Sequence, residues 1–457
     1  MNRLQDELVI VLGLAKSGVA VAKLLHRFGA HVIVNDRKPR AEAEGVEELE
    51  ALGITVVTGG HPDELIHPGV SLVVKNPGIP YEAPPVAKAL ALGIPVITEV
   101  ELAYQLSQAP IIGITGSNGK TTTTTLVGRM LAAAGIDVQV GGNIGTVLCE
   151  LAETTRREQW LVAELSSFQL MGTKCFRPKI GAILNLYPAH LDYHHTMEAY
   201  FAAKQRLFAN QTADDYAVLP YDQADVRALA ERLAGQGYFF SRTAAVAPGV
   251  YVRDGQIVWA DAAGRTEPVL PVEQVALRGE HNLENALAAA LISRLAGADW
   301  PAIASVLSSF SGLAHRLEFV AEINGVKYYN DSKATNPVAA IRSIGAFQEP
   351  VVLIAGGLDR GIDFRELVPV LREHVKALVV YGQTAAILLA RAREAGIARS
   401  IRVDTVEEAV LAAANMAESG DVVLLSPACA SWDMFPSYEV RGSMFKDSVH
   451  RLKTSLV

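Results

Sequence analysis

Short apolar runs alternate with amphipathic segments along most of the chain. Runs rich in Val, Ile and Leu have the length of buried parallel strands and lie at 8–12, 31–36, 111–114, 160–164 and 180–186. The segments between them place apolar residues every three or four positions, which is helical periodicity. Because strands that alternate with helices are typical of parallel sheets, the pattern predicts an α/β fold.

The most informative stretch runs from 109 to 131, where an apolar strand, a glycine-rich turn and an amphipathic helix follow one another. Glycines let backbone N–H groups approach phosphate oxygens, and a helix start adds its positive dipole end. An ordinary strand-to-helix turn explains the glycines but not the adjoining Gly-Lys-Thr-Thr. The spacing departs from the standard P-loop, with Ile114 where its first glycine is expected. The stretch predicts a mononucleotide site of Gly116, Ser117, Asn118, Gly119, Lys120, Thr121 and Thr122.

Within that site, the lysine and the first threonine have distinct predicted roles. Lys120 can reach the β and γ phosphates, and the hydroxyl of Thr121 can ligate Mg²⁺.

Composition limits the classes of protein to consider. The 457 residues predict about three domains, and half of them are hydrophobic. A net charge of −8 argues against nonspecific binding to nucleic acid or anionic membrane. The three isolated cysteines suggest neither disulfides nor zinc, and no signal peptide or membrane span is recognisable. We expect a soluble cytoplasmic monomer.

The first predicted domain, 1–98, opens with a strand, a turn, a helix and a second strand. Only Gly13 and Gly18 remain of a dinucleotide-binding G-x-G-x-x-G, whereas Lys16 and Ser17 could meet a pyrophosphate directly. Asp36 ends the second strand, where such folds bind a ribose or a base. A nucleotide sugar is therefore the expected ligand, and a purely structural unit is the alternative.

The second predicted domain, 99–313, carries candidate metal chemistry at the ends of its strands. Glu164 follows the strand after the phosphate loop, and a Mg²⁺ ligand or a solvated strand terminus would both fit there. His190 follows the next strand and is placed in the metal site, whereas His194 and His195 are expected at the surface. Lys204 lies four residues from Tyr200 and from Phe208, so we expect it on the buried helix face, where it needs a charge partner or a chemical change.

The remaining candidates lie at helix starts and in glycine loops. Asn282 and Asn285 open a long alanine-rich helix and could face a nucleotide or merely cap the helix. The strand-helix pattern restarts in a third predicted domain, 314–457. There, a polar loop at 330–336 opens another helix, and a glycine loop carries Arg360.

Together, these motifs resemble the Mur ligases, ATP-dependent amide-forming enzymes of peptidoglycan precursor synthesis, along essentially the whole chain. Gly-Ser-Asn-Gly-Lys-Thr-Thr, Glu-Leu-Ser-Ser-Phe-Gln-Leu, Ala-His-Leu-Asp-Tyr-His, Glu-His-Asn, His-Arg and Asn-Asp-Ser-Lys-Ala-Thr-Asn occur in the family's order. The resemblance implies a Rossmann-like N-terminal domain for the UDP sugar, a central P-loop domain for ATP and a C-terminal Rossmann-like α/β domain for the amino acid.

The resemblance also assigns roles to individual residues. For the UDP substrate it implies contacts from Lys16, Ser17, Asp36, Arg37, Gly78, Asn143, Ser166 and Gln169. For the nucleotide it adds Asn282, Asn285, Arg316 and Asp331, and for one or two Mg²⁺ ions it implies Thr121, Glu164, His190 and a carbamylated Lys204. The predicted catalytic residues are Lys120, Glu164, His190 and Lys204.

The C-terminal segment is similar to that of the family members that add D-glutamate to UDP-N-acetylmuramoyl-L-alanine through an acyl phosphate. For D-glutamate this implies contacts from Lys333, Thr335, Arg360, Ser431, Trp432 and Tyr438. Arg360 stands where these members often have lysine, and Trp432 and Tyr438 replace other large side chains. The alternatives are a folylpolyglutamate synthase-like ligase, which lacks an equivalent UDP-binding first domain, and a nucleotide-dependent binding module without ligation.

Overall fold

The computed structural model describes residues 4–277 and 279–455, and the chain divides into two compact units, 1–310 and 311–457. The predicted boundary at 98 falls inside the first unit, which contains two separate sheets. The predicted domain limits stay predictions.

The N-terminal sheet is parallel, with the strand order β3-β2-β1-β4-β5. Its elements are β1 (Leu8–Leu12), α1 (Lys16–Arg27), β2 (His31–Asp36), α2 (Val46–Ala51), β3 (Thr55–Thr58), β4 (Leu72–Lys75), α3 (Pro84–Ala91) and β5 (Val96–Ile97). The order reverses between β1 and β4. Open α/β sheets bind ligands outside the carboxyl ends of the strands at such a point.

The central sheet is larger and begins after a helix that connects it to the first. Its elements are α4 (Glu99–Leu106), β6 (Ile111–Thr115), α5 (Lys120–Ala133), β7 (Val138–Gly142), α6 (Leu148–Glu153), β8 (Trp160–Glu164), α7 (Ser167–Met171), β9 (Ile180–Ile183), α8 (Leu191–His194), α9 (Met197–Gln205), β10 (Tyr216–Pro220), α10 (Ala224–Arg227), β11 (Gln236–Ser241), β12 (Gly249–Arg253), β13 (Gln256–Ala260), β14 (Thr266–Pro271), α11 (Glu280–Leu295) and α12 (Trp300–Ser309).

The strand order of this sheet is β14-β13-β12-β11-β10-β9-β6-β8-β7. Strand β6 runs parallel to both of its neighbours, β8 and β9. The loops that follow these three strands therefore leave the same edge of the sheet and can form one site.

One apolar cluster includes residues packed around both sheets of the first unit, among them Val11 of β1 and Leu25 of α1, and Ile111 and Leu161 of the central sheet. Since burial of apolar surface is the main stabilising term, this shared packing explains why the two sheets form one unit.

The second unit contains a sheet in the order β15-β16-β20-β17-β18-β19, in which β15 is antiparallel to β16 and the other neighbours are parallel. Its elements are β15 (Glu318–Ile323), β16 (Val326–Asn330), α13 (Pro337–Ile344), β17 (Val351–Gly356), α14 (Val368–His374), β18 (Val375–Tyr381), α15 (Ala385–Ala395), β19 (Arg399–Arg402), α16 (Val406–Met416), β20 (Val422–Leu425) and α17 (Tyr438–Ser455).

The predicted α/β fold is confirmed. The strand predicted over 180–186 ends earlier, at Ile183, and Asn185 turns toward the phosphate loop instead. Among the helices of the described ranges, none combines the length and the apolar character that crossing a bilayer requires.

Candidate active site

The glycine-rich loop after β6 has a shape that depends on close packing. Gly119 has φ +79°, and a Cβ on it would lie 2.0 Å from Oδ1 of Asn285. Only glycine fits this position, because a side chain would need both a left-handed backbone and space that α11 occupies. The loop and the start of α11 are therefore in contact, and the amide of Asn285 also donates to Oδ1 of Asn282 (3.4 Å).

Lys120 begins α5 and folds back over its own loop. Its Nζ donates to the carbonyl oxygens of Gly116 (2.8 Å) and Ser117 (3.0 Å). The ammonium group thus lies at the mouth of a turn whose N–H groups open the helix. That arrangement of cation, amides and helix dipole suits a phosphate group.

Glu164 ends β8 beside this loop and has one carboxylate oxygen without a partner. Its Oε1 accepts from Nδ2 of Asn143 (3.0 Å), whereas Oε2 is buried and has no hydrogen-bond partner in the structure. A buried carboxylate oxygen in this state is costly. A hard cation such as Mg²⁺ would satisfy it, so Glu164 fits the predicted role of metal ligand.

Lys204 lies on the buried face of α9, as its spacing predicts, and is 1% exposed. Its Nζ donates to the carbonyl oxygen of Gly116 (3.0 Å) and lies 3.4 Å from Oγ1 of Thr115 and 4.5 Å from the ring centroid of Tyr200. Burial, with a smaller effect from the charge of Lys120, lowers the pKa of Lys204 to about 6. At neutral pH the amine is therefore largely uncharged.

His190 is exposed and precedes α8 with a left-handed backbone, φ 56°. Its ring meets Phe168 edge-on at 5.0 Å and lies 6.4 Å from the ring of Tyr200. In the described parts of the chain, no three His, Cys, Asp or Glu side chains are grouped to hold a metal ion. The predicted set contains only two residues of these types, Glu164 and His190, and depends on Thr121 and a modified Lys204 for the rest.

Two cavities adjoin at the start of α1. The larger, of about 850 Å³, is lined by Lys16, Asp36, Arg37 and Gly78 together with apolar residues of the N-terminal sheet. The smaller, of about 470 Å³, is lined by Lys16 and Ser17 and by Asn143, Ser166 and Gln169 of the central sheet. The structure thus brings the eight residues predicted for the UDP substrate to two neighbouring cavities.

Asp36 has a structural task in the larger cavity. Its carboxylate accepts from the backbone N–H groups of Leu14 (2.7 Å) and Lys38 (2.8 Å), which fixes the turn before α1. In the smaller cavity, Ser166 and Gln169 form a capping box at the start of α7. The side chains of Asp36, Ser166 and Gln169 are therefore held in place by the protein itself, before any ligand binds.

The second unit collects its predicted residues at the carboxyl ends of β16, β17 and β20. Asp331 follows β16 and is buried, which raises the pKa of its carboxyl to about 6. It accepts from the backbone N–H of Leu317 (3.2 Å) and the hydroxyl of Ser426 (3.0 Å). Arg316 is exposed nearby in the sequence.

Arg441 connects the loops around these strand ends. It is fully buried, and its guanidinium donates to Ser332 and to the carbonyl oxygen of Cys429. Two of the residues predicted for D-glutamate lie close in sequence to its hydrogen-bond partners: Lys333 follows Ser332 and has its Nζ 5.2 Å from the ring centroid of Tyr438, and Ser431, two residues after Cys429, is buried.

The other residues predicted to bind D-glutamate are more exposed. The guanidinium of Arg360 lies 5.1 Å from the ring centroid of Trp432, a side chain that is 66% exposed. Thr335 is half-buried in the loop before α13. A guanidinium on an aromatic face keeps its N–H edge free for a carboxylate.

Comparison with known proteins identifies the family to which the chain belongs. Three family models match: the Mur ligase MurD-like N-terminal domain at 7–98, the Mur ligase middle domain at 114–293 and the Mur ligase glutamate ligase domain at 315–429. A UDP-N-acetylmuramoylalanine--D-glutamate ligase of Geobacillus kaustophilus (strain HTA426) is 53% identical over 450 residues, 98% of each chain. The chain belongs to the Mur ligase family.

A further ligase of the same name, from Bacillus thuringiensis (strain Al Hakam), is 50% identical over 99% of each chain. Among solved structures, UDP-N-acetylmuramate-alanine ligase of Thermotoga maritima is similar with a TM-score of 0.56 at 18% identity, covering 98% of this Mur ligase and 99% of that chain. At that identity the likeness concerns the fold alone.

Sequence reasoning missed one residue of this Mur ligase that shapes the phosphate loop. Asn185 accepts from the backbone N–H of Asn118 (2.9 Å) through Oδ1 and donates to its carbonyl oxygen (3.2 Å) through Nδ2. Its own carbonyl oxygen accepts from the N–H of Ser117 (3.1 Å). A polar residue that interrupts an apolar run just past a strand was the available signal.

The prediction that His194 lies at the surface was wrong, whereas His195 is exposed as expected. His194 is 4% exposed, its Nε2 is 2.9 Å from Oγ of Ser167, and its ring stacks on Phe168 at 5.3 Å. The short helix α8 turns this ring inward, a rotation that loop composition does not reveal.

Proposed function

We propose that this Mur ligase adds D-glutamate to UDP-N-acetylmuramoyl-L-alanine at the expense of ATP. The observation that carries the proposal is the pair of neighbouring cavities, which share Lys16 and Gly78 and extend from the N-terminal sheet to Asn143 beside Glu164. A UDP group in the larger cavity would direct the muramoyl end toward the phosphate loop. The names of relatives at 50–53% identity support the same substrates.

The chemistry follows from the weakness of a carboxylate as an electrophile. An oxygen of the L-alanine carboxylate attacks the γ-phosphorus of ATP, the bond to the β,γ-bridging oxygen breaks, and ADP leaves. The amine of D-glutamate then attacks the acyl phosphate carbonyl, loses a proton and expels phosphate. Lys120 supports the first step, because its ammonium group stabilises charge on the transferring phosphoryl group.

We propose that Glu164, Thr121 and His190 hold Mg²⁺. The partnerless Oε2 of Glu164 is the structural reason for this assignment. When bound, Mg²⁺ would neutralise phosphate charge. The chain itself orients the carboxylate, since Asn143 donates to Oε1 and leaves Oε2 for the ion.

We propose a carbamylated Lys204 as the remaining Mg²⁺ ligand. Lys120 and Lys204 both donate to one oxygen, that of Gly116, so two cationic groups would share a single acceptor. Addition of the neutral amine of Lys204 to CO₂ forms an N–C bond and releases one proton, giving a carbamate anion. The modification would place an anion beside the ammonium group of Lys120 and would supply an oxygen ligand for Mg²⁺.

The residues proposed to bind D-glutamate come from the second unit. Arg360 would bind the side-chain carboxylate of D-glutamate, with Lys333, Thr335, Ser431, Trp432 and Tyr438 around it. Arg316 and Asp331 stay proposed nucleotide contacts. The stacking of Arg360 on Trp432 supports this assignment, because it orients the guanidinium.

The experiment that tests the function is phosphate release from ATP and Mg²⁺ with UDP-N-acetylmuramoyl-L-alanine and D-glutamate, L-glutamate, meso-diaminopimelate or L-lysine. We expect release that needs both the UDP substrate and D-glutamate, with a new amide product by mass spectrometry. Lys120→Ala is the inactive control. Phosphate release with another amino acid would show that this amino acid, and not D-glutamate, is the acceptor. Phosphate release without any acceptor would favour a nucleotide-dependent binding module.

The folylpolyglutamate synthase-like alternative is disfavoured by the MurD-like N-terminal match at 7–98 and by the large cavity in that domain. A pteroylglutamate acceptor in the same assay tests it directly. Phosphate release with that acceptor and without the UDP substrate would restore the alternative.

A further inference from the structure

Glu99 is a buried acid with no role in the mechanism above. It begins α4, the helix that connects the N-terminal sheet to the central one, and is 2% exposed. Its Oε2 accepts from the backbone N–H of Cys149 (3.2 Å), and its Oε1 accepts from Nε2 of Gln169 (3.2 Å). Both donors are uncharged, so a carboxylate here is poorly compensated for its burial.

The residue before it fixes this connection to α7. Thr98 donates through Oγ1 to the carbonyl oxygen of Gln169 (2.6 Å) and through its N–H to that of Gly172 (3.1 Å). A Cβ on Gly172 would lie 2.5 Å from the side chain of Thr98. The backbone around Glu99 is therefore tightly seated, and its carboxyl group has a defined position.

Glu99 determines which way the amide of Gln169 faces. The amide oxygen of Gln169 accepts from the N–H and the hydroxyl of Ser166 (2.9 Å each), and its nitrogen points to Glu99. All three residues line the 470 Å³ cavity, together with Lys16 and Asn143. A chain of hydrogen bonds thus runs from the connecting helix to residues proposed to contact the muramoyl substrate.

The charged surroundings of Glu99 come from several elements. Burial raises the pKa of Glu99 to about 7, the bonds from Cys149 and Gln169 oppose this, and Glu150 adds to it. The backbone N–H of Cys149 reaches it from α6, Lys16 lines the same cavity, and Lys75 and Glu99 both line a second, small cavity. Anionic groups of a substrate in this cavity would favour the neutral carboxyl further.

We propose that Glu99 is a positioning residue for the UDP substrate, which orients Gln169 and Ser166 and takes up a proton when the anionic substrate enters the cavity. The inference rests on the proposed function. Because the proton is bound together with the substrate, affinity is greatest where Glu99 is already protonated and falls as the pH rises. A purely structural acid would not link substrate affinity to pH in this way.

The test is calorimetric titration of the full-length protein with UDP-N-acetylmuramoyl-L-alanine at pH 6, 7 and 8. If the substrate raises the pKa of Glu99 from about 7 to about 8, wild-type affinity falls about fivefold between pH 6 and pH 8. Glu99→Gln has the shape of the neutral carboxyl, so we expect it to bind with little pH dependence. Glu99→Ala should bind more weakly at each pH.

Glu101→Gln is the matched control, because Glu101 is a buried acid of the same helix that accepts from backbone N–H groups at 174–176 and does not line the cavity. It should keep the wild-type pH dependence. Identical pH dependence in wild type and Glu99→Gln, or pH-independent wild-type binding, would overturn this inference alone. No binding by wild type at any pH would overturn the proposed function as well.

Discussion

Two lysines of the first unit, Lys75 in the N-terminal sheet and Lys204 in the central one, are almost fully buried, and each lies over a tyrosine ring. The Nζ of Lys75 donates to the carbonyl oxygens of Pro77 (3.1 Å) and Ile79 (2.8 Å). That of Lys204 shares the oxygen of Gly116 with Lys120. One lysine thus stabilises a loop, whereas the other shares its acceptor with the ammonium group of Lys120.

The pKa values follow this difference in surroundings. Burial lowers the pKa of Lys75 to about 8, and Glu82 opposes the shift. Burial lowers that of Lys204 to about 6, and Lys120 reinforces the shift. Lys75 therefore stays largely charged near neutral pH, while Lys204 presents an amine that can react with CO₂. Burial is the larger cause of both shifts, and the neighbouring charges act in opposite directions, since Glu82 opposes the shift and Lys120 adds to it.

The largest effect is expected from Lys204→Ala. If the carbamate holds Mg²⁺, its loss should lower kcat about a thousandfold, because a group that stabilises transition-state charge is removed. Acetate or propionate should restore part of the activity by occupying the space of the carbamate. The measurement is the rate of D-glutamate-dependent phosphate release.

Lys75→Ala is the matched control for that rescue, since it also removes a buried lysine. Neither carboxylic acid should stimulate it. Stimulation of both variants, or of neither, would contradict a specific carbamate at Lys204.

The pH dependence of stability should differ between the two lysines. In CO₂-free buffer, the unfolded chain binds a proton at Lys204 that the folded chain lacks between pH 6 and 10.5. Wild-type stability relative to Lys204→Met therefore rises with pH in this window, on the order of 1 kcal/mol per pH unit. For Lys75→Met the rise begins only near pH 8.

Urea unfolding at pH 6, 7 and 8 distinguishes the two. A Trp432→Phe background leaves the tryptophans of the first unit as reporters. If the difference in unfolding free energy between wild type and Lys204→Met does not change from pH 6 to pH 8, Lys204 is charged in the folded protein. Dissolved CO₂ should stabilise wild type but not the variant.

Much of this arrangement follows from local sequence. The strand, loop and helix over 111–133 were predictable because apolar pattern, glycines and lysine act within one continuous segment. The burial of Lys204 followed from its spacing from Tyr200 and Phe208, and structure confirms it. The ATP, metal and acceptor roles of the named residues stay predictions.

Other features depend on contacts between distant positions. Asn185 lies 67 residues from the Asn118 backbone that it holds, and Glu99 lies 70 residues from Gln169. In the sequence, Glu99 resembles an ordinary acid at a helix start, and Lys75 resembles a solvated strand end. Only tertiary burial distinguishes these two residues from such surface positions.

A smaller effect is expected from Lys75→Met. The change removes both bonds to the loop at 77–79, which adjoins the two cavities, and leaves two partly buried carbonyl groups without this donor. The KM for the UDP substrate should rise about tenfold while kcat changes little. Lys88→Met, at an exposed position of α3, is the control. A fall in kcat with unchanged KM would instead give Lys75 a role near the reacting groups.

The smallest effect is expected at the hydroxyl of Tyr193, which reaches the same loop from helix α8. It donates to the carbonyl oxygen of Ile79 (3.1 Å), which also accepts from Lys75. Tyr193→Phe removes only the contacts of this hydroxyl, the bond to Ile79 and a longer one to the carbonyl oxygen of Pro77 (3.5 Å), so the KM for the UDP substrate should rise only about threefold. Tyr238→Phe, on β11 beside Trp259, is the control. If both lysine and tyrosine act through this loop, the double variant Lys75→Met/Tyr193→Phe will differ from the product of the single effects, whereas strict additivity would mean that they act independently.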